Sequence, residues 1–186
     1  MVYVDMDEVL CDFISGAMAL HGITTAQLNP YRIKGTWELD CSLARFGRPM
    51  TKAEFWAPMN NNSGFWASLK PLPWFEELTG HLNQMFDTDW MVLSSPTDTS
   101  SMRGKADWLS YHLDFGPERF ILSSRKWLLS RPGTVLIDDR EETVVKFGSM
   151  PNGGRGILFP DLTNSAFAHA SNPVPHVMEQ LDALYF

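Results

Sequence analysis

An α/β fold with a mainly parallel sheet, interrupted early by a small helical insertion, is what this sequence predicts. From residue 74 onward, short apolar runs alternate with stretches of helical period. Such alternation is the pattern of strands joined by crossover helices. Between residues 23 and 73 the texture differs, with large aromatic side chains spaced by Asn, Gly and Pro. That many bulky apolar groups exclude a disordered linker. At 186 residues the chain fits one domain carrying a modest insertion.

Residues 1–4 read as a short buried strand whose carboxyl end carries Asp5 and Asp7. A helix is expected over residues 11–21, ending near Gly22. Residues 23–73 contain Tyr31, Trp37, Phe46, Phe55, Trp56, Phe65 and Trp66, and read as mostly helical. Helix is expected again over 74–86, then a strand over 90–93 that stops at Ser94-Ser95-Pro96. A helix over 100–113 is closed by Gly116-Pro117. Strands at 120–122 and 134–137 follow, the second ending at Asp138-Asp139. A helix at 140–147, a strand at 156–159 and a helix at 174–184 complete the chain. The expected division is a core of residues 1–14 and 74–186, with 15–73 as an inserted subdomain.

The formal net charge of −7 argues against a nucleic-acid polymer as partner, because phosphate backbones are bound through clustered Lys and Arg. A small phosphorylated substrate needs only one or two local cations and stays compatible with that balance. Cys11 and Cys41 show neither metal-ligand spacing nor a disulfide framework, as expected of a reduced, cytoplasmic protein. No signal-peptide pattern is read, and no apolar run is long enough to span a bilayer, so no membrane association is expected.

In open parallel sheets, ligands bind beyond the carboxyl ends of the strands. Asp5 and Asp7, Ser94 and Ser95, and Asp138 and Asp139 all fall at that edge, and Lys126 follows the strand at 120–122. Clustered carboxylates resist joint ionisation. A hard divalent cation resolves the conflict, and Mg²⁺ suits a few carboxylates together with water and phosphate oxygens. A carboxylate nucleophile can take a phosphoryl group. A second acid two residues away can shuttle the proton. Each piece has an ordinary reading by itself. Asp5-Met6-Asp7 would be a solvated strand end, Ser94-Ser95-Pro96 a turn, Lys126 a surface lysine, and Asp138-Asp139 a helix cap. Their joint placement at strand ends favours the chemical reading.

Asp5-Met6-Asp7-Glu8-Val9-Leu10, Ser94, Lys126 and Asp138-Asp139 resemble the four motifs of the haloacid dehalogenase-like (HAD) phosphatase superfamily. More closely, DMDEVLCDF from Asp5, SGFWASLKPLP from Ser63, VLSSP from Val92 and LIDDR from Leu136 resemble the 5′(3′)-deoxyribonucleotidases. The resemblance runs across nearly the whole chain. It implies a Rossmann-like three-layer core with a helical cap, Asp5 as nucleophile and Asp7 as general acid/base. Mg²⁺ would be held by Asp5, the Asp7 backbone carbonyl and one of Asp138 and Asp139, with Asp139 favoured. Ser94, Ser95 and Lys126 would bind phosphate, and Phe13, Phe65 and Trp66 would face the nucleobase. For Phe65 and Trp66, packing inside the cap is an equally weighted alternative, and Trp37, Phe55 and Trp56 are expected in the cap core.

The implied substrate is a nucleoside monophosphate. Dimerisation is typical of the related nucleotidases, and nothing in this sequence marks an interface. Glu8 departs from the family, which usually has Gly there, and adds an acid beside a site for an anion. Rival readings are a phosphatase of another small phosphomonoester, a weakly active nucleotide-binding module, and an enzyme of polynucleotide ends.

Overall fold

The computed structural model describes residues 1–35 and 39–185, so Trp37 lies outside the described residues. Five strands form one parallel sheet: β1 (Val2–Val4), β2 (Trp90–Ser94), β3 (Phe120–Leu122), β4 (Val135–Asp138) and β5 (Arg155–Leu158), in the order β3-β2-β1-β4-β5. The first strand is therefore central, with all three residues buried. Its position explains why so short a run suffices: it pairs on both sides, Val4 standing opposite Val92 and Ile137.

Side chains alternate across the sheet with the period of a strand. Val2, Val4, Trp90, Val92, Val135, Ile137 and Ile157 share one large core, which also contains Leu78, Leu82, Trp108, Leu109, Val174, Val177 and Leu181. The latter come from α6 (Phe75–Phe86), α7 (Thr99–Leu113) and α9 (Pro173–Tyr185). Tyr3, Leu93 and Leu136 point the other way, onto Phe147 of α8 (Glu141–Gly148) and Leu129 of the 3₁₀ turn Lys126–Leu129. Helices on both faces make three layers, as the alternating pattern predicts.

Among the described residues, the segment between β1 and α6 holds five short α-helices: α1 (Phe13–Leu20), α2 (Thr25–Leu28), α3 (Leu39–Arg45), α4 (Lys52–Trp56) and α5 (Ser63–Ala67). Helices this short gain little from propensity and depend on caps and packing. Thr24 and Thr51 each form a reciprocal capping box, and Asn62 caps α5 by accepting from Phe65 N–H at 3.0 Å.

Helix α1 begins at Phe13, two residues later than the sequence pattern suggests. The reason is long-range. Cys11 pairs with Pro71, Asp12 N–H donates to Lys70 O at 2.8 Å, and Leu72 N–H donates to Leu10 O at 3.0 Å. The Lys70-Pro71-Leu72 stretch thus returns alongside residues 10–12, and Asp12 is left to cap α1 by accepting from Ser15 N–H.

Candidate active site

Asp5 leaves β1 at the point where β1 and β4 part, its backbone N–H donating to Ile137 O at 2.9 Å. With β1 central and its chain neighbours running to either side, this is the switch point of the sheet. Asp138, the last residue of β4, lies beside Asp5, and Asp139 follows on the adjoining turn. One carboxylate oxygen from each of Asp5, Asp138 and Asp139 falls within 4.8 Å of the others. All three residues are buried. Asn164 fixes the turn from below, its amide donating to Asp139 O at 2.8 Å and Phe159 O at 2.7 Å.

Lys126 reaches this acid cluster from the loop after β3. Its Nζ is 2.7 Å from Asp5 Oδ1 and 2.7 Å from Asp138 Oδ2. Burial opposes the ammonium, but the Asp5 and Asp138 charges outweigh it and hold the Lys126 pKa above its usual value. Asp138 is pushed up to about 6 by burial and by Asp5, against the opposing pull of Lys126 and of Arg140 N–H. Asp139 is raised well above the carboxylate range by burial first, then by Asp138 and Asp5. Asp5 Oδ1 has its ion pair with Lys126 by distance but no donor aligned on it as a hydrogen bond. Three buried carboxylates with one ammonium in contact leave a local excess of negative charge. An all-oxygen donor set of that kind fits a hard divalent cation.

Asp7 lies on the loop leaving β1, partly exposed, and its partner is a residue the sequence did not single out. Lys105 Nζ donates to Asp7 Oδ2 at 2.5 Å and to Ser94 Oγ at 2.9 Å. Lys105 is fully buried. A lysine is by default a surface residue, so its type alone does not mark it. The signal was present in register: Ser101, Gly104, Lys105, Trp108 and Leu109 form the buried stripe of α7, and a cation within an apolar stripe is anomalous.

A cleft of about 630 Å³ opens over these groups. Asp5, Asp7, Asp139, Lys126 and Ser95 line it, together with the rings of Phe13, Trp56, Trp66 and Trp127. Phe13 stacks against Trp66 with centroids 5.4 Å apart and against Trp56 at 5.6 Å, so three rings form one wall. Trp56, expected inside the cap core, packs against the core while partly buried and also stands on that wall. It shares a helix face with Lys52 at i, i+4 spacing, and both line the cleft.

Phe65 is absent from the lining and packs edge-on to Phe13 and Trp66. Ser94 is fully enclosed and also stands outside the lining, bound to Lys105 rather than presented to the cleft. Lys52, Arg140 and Lys146 add cations to the walls of a protein that is acidic overall.

Glu8 adopts φ +57°, the left-handed conformation in which a glycine is unstrained. Its side chain turns back, Oε1 accepting from Ile14 N–H at 2.8 Å at the start of α1. Burial and then Asp161 raise its pKa to about 8, against the stabilising bond from Ile14. At neutral pH the added acid is therefore largely uncharged, and it serves the helix terminus.

Among solved structures, a protein described as a haloacid dehalogenase-like hydrolase of Burkholderia xenovorans LB400 aligns with 14% identity over 94% of this chain and 88% of its own, at a TM-score of 0.49. A phosphonoacetaldehyde hydrolase-like protein from Oleispira antarctica aligns with 12% identity over 98% and 84%, at 0.45. No curated protein matches the chain. The family model for 5′ nucleotidase, deoxy (pyrimidine), cytosolic type C protein (NT5C) matches residues 1–173. Given that match over nearly the full length, and a parallel sheet that carries the acids at its switch point, the chain belongs to this family and is a phosphatase of the 5′-nucleotidase type.

Proposed function

We propose that the protein is a Mg²⁺-dependent phosphomonoesterase that releases phosphate from (deoxy)ribonucleoside monophosphates through an aspartyl-phosphate on Asp5. One observation carries the reading: the buried Asp5, Asp138 and Asp139 cluster with Lys126 opens into a cleft walled by stacked aromatic rings. The cleft falls in the size range of small-molecule sites.

Asp5, the Asp7 backbone carbonyl and Asp139 would hold the metal. Both oxygens of Asp138 are already engaged, by Lys126 Nζ and by Arg140 N–H at 2.9 Å, which favours Asp139 as the direct ligand. A Mg²⁺ bound there would neutralise the acid cluster and supply Lewis-acid stabilisation of phosphate charge. Lys126 grips the phosphate alongside Ser95, while Phe13, Trp56 and Trp66 provide a stacking face that tolerates several bases. Phe65 supports that face from behind.

A carboxylate oxygen of Asp5 attacks phosphorus, the ester P–O bond breaks, and the leaving alkoxide takes a proton from Asp7. Water then attacks the phosphorus of the aspartyl-phosphate, its proton passing to Asp7, and Asp5 is regenerated. Residues 15–73 act as a cap over the cleft. Glu8 lines the cleft, and its Oε1 is tied back to Ile14 N–H at the start of α1.

The test is phosphate release from a panel of deoxyribonucleoside, ribonucleoside and sugar monophosphates, with Mg²⁺ and with EDTA. Release from nucleotides that EDTA abolishes is expected. Release from sugar phosphates with none from nucleotides would show that the aromatic wall serves another leaving group.

A further inference from the structure

We infer that Lys105 is a positioning residue for the proton-transfer step, acting through Asp7; this rests on Asp7 being the acid/base of the proposed reaction. The chain supplies two buried lysines at this site, and their contacts do not overlap. Lys126 serves the nucleophile side, bonded to Asp5 and Asp138. Lys105 serves the proton side, bonded to Asp7 Oδ2 and Ser94 Oγ. An apolar side chain of similar length would fill the Lys105 space at lower cost, since a buried charge must be compensated. The ammonium therefore acts on what it binds.

Its own placement is rigid. Trp108, one turn along α7, donates from Nε1 to Leu69 O at 2.7 Å, and Gly104 beside Lys105 lies in close contact with α5. The Trp66 ring lies 4.8 Å from Lys105 Nζ. Among the described residues Asp7 has no comparably firm second anchor: Cys11 Sγ approaches its Oδ1 at 3.7 Å, a weak contact. Fixing Oδ2 on Lys105 thus restrains the carboxylate and leaves Oδ1, which among those residues meets only the weak Cys11 donor, as the proton-transfer atom. The same ammonium holds Ser94 at the end of β2, so the proton-transfer group and the VLSSP loop keep one register.

Lys105→Met and Lys105→Gln are to be compared with the parent protein on a deoxyribonucleoside monophosphate and on p-nitrophenyl phosphate. The nucleotide has an alkoxide leaving group that needs a proton, whereas the aryl phosphate does not. With the nucleotide, kcat should fall by about 10²-fold, in the range of one positioned acid/base, while KM stays within about threefold. With the aryl ester the first step should survive and the second slow, giving a burst of one nitrophenolate per protein and then slow turnover.

In an Asp7→Asn background, Lys105→Met should add less than about threefold, as expected of two residues acting as a unit. Equal loss on both substrates without a burst, or full additivity with Asp7→Asn, would make Lys105 a structural residue only and overturn the inference. If Lys105→Met does not fold, judged by circular dichroism, Lys105→Gln is read in the same assays. Should the parent protein act on the aryl ester and on no nucleotide, the nucleotide reading fails while the burst and the double variant still decide the role of Lys105.

Discussion

Glu8 is the residue at which local geometry and chemistry pull hardest against each other. Among the described residues, five besides glycine have positive φ, and the other four are Asn or Asp. Those types tolerate the left-handed region, whereas Glu pays about 1 kcal/mol there. The bond to Ile14 N–H offsets that by satisfying a helix-terminal donor, worth roughly 1 kcal/mol in typical caps. The charge is a separate matter. The folded pKa of about 8 lies above the ordinary 4.5, so as pH rises the unfolded chain ionises first. Stability contributed by the protonated form is full below about pH 4.5 and is lost as pH rises toward 8. Glu8→Gln keeps the acceptor and removes the titration. In EDTA, urea midpoints at about pH 5, 6.5 and 8 should fall for the parent and fall less for Glu8→Gln, the gap reaching a few kcal/mol. Parallel pH curves would show that Glu8 is ionised throughout.

At the scale of elements, α5 and α7 decide where the aromatic wall stands. They approach so closely at Gly104 that a Cβ there would lie 2.3 Å from Ser63 O and 2.6 Å from Trp66 Cβ. Gly80, in the middle of α6, has nothing within 4 Å of its Cβ position. Gly104→Ala should lower stability by about 2 kcal/mol, roughly 4–8 °C in Tm for a chain of this size. Gly80→Ala should raise Tm slightly, since alanine is the better helix former. Equal effects at the two sites would contradict the close packing of α5 on α7.

The long helices α6, α7 and α9 were legible in sequence from their helical period, and the strands as short apolar runs that end at polar residues. The insertion was legible only as a helical, aromatic region. Its helices are too short to show a period, and the start of α1 is set by pairing with Pro71, a contact sixty residues away. The face presented by Trp56 was likewise hidden, because an aromatic residue in a four-turn-poor segment reads as core until its neighbours are known.

For the whole molecule, the acids could be read as one site because parallel strands bring all their carboxyl ends to one edge. Asp5, Asp138, Asp139 and Lys126 meet there, as the order of strands in sequence suggests. Lys105 could not be read that way, since it comes from the middle of a helix and reaches the edge only through its long side chain. The protein is thus organised around a charge conflict: three buried carboxylates, of which Lys126 pairs with Asp5 and Asp138, and a second lysine bonded to Asp7.

The central claim is that Asp5 carries the phosphoryl group, and rapid acid quench of the protein turning over a phosphate-radiolabelled deoxyribonucleoside monophosphate with Mg²⁺ tests it most directly. The account predicts transient label on the protein, approaching one per chain, released by hydroxylamine and absent from Asp5→Asn, which should retain its fold and lose turnover by at least about 10³-fold. Near-normal turnover by Asp5→Asn, or parent turnover with no label on the protein at any time, would contradict it.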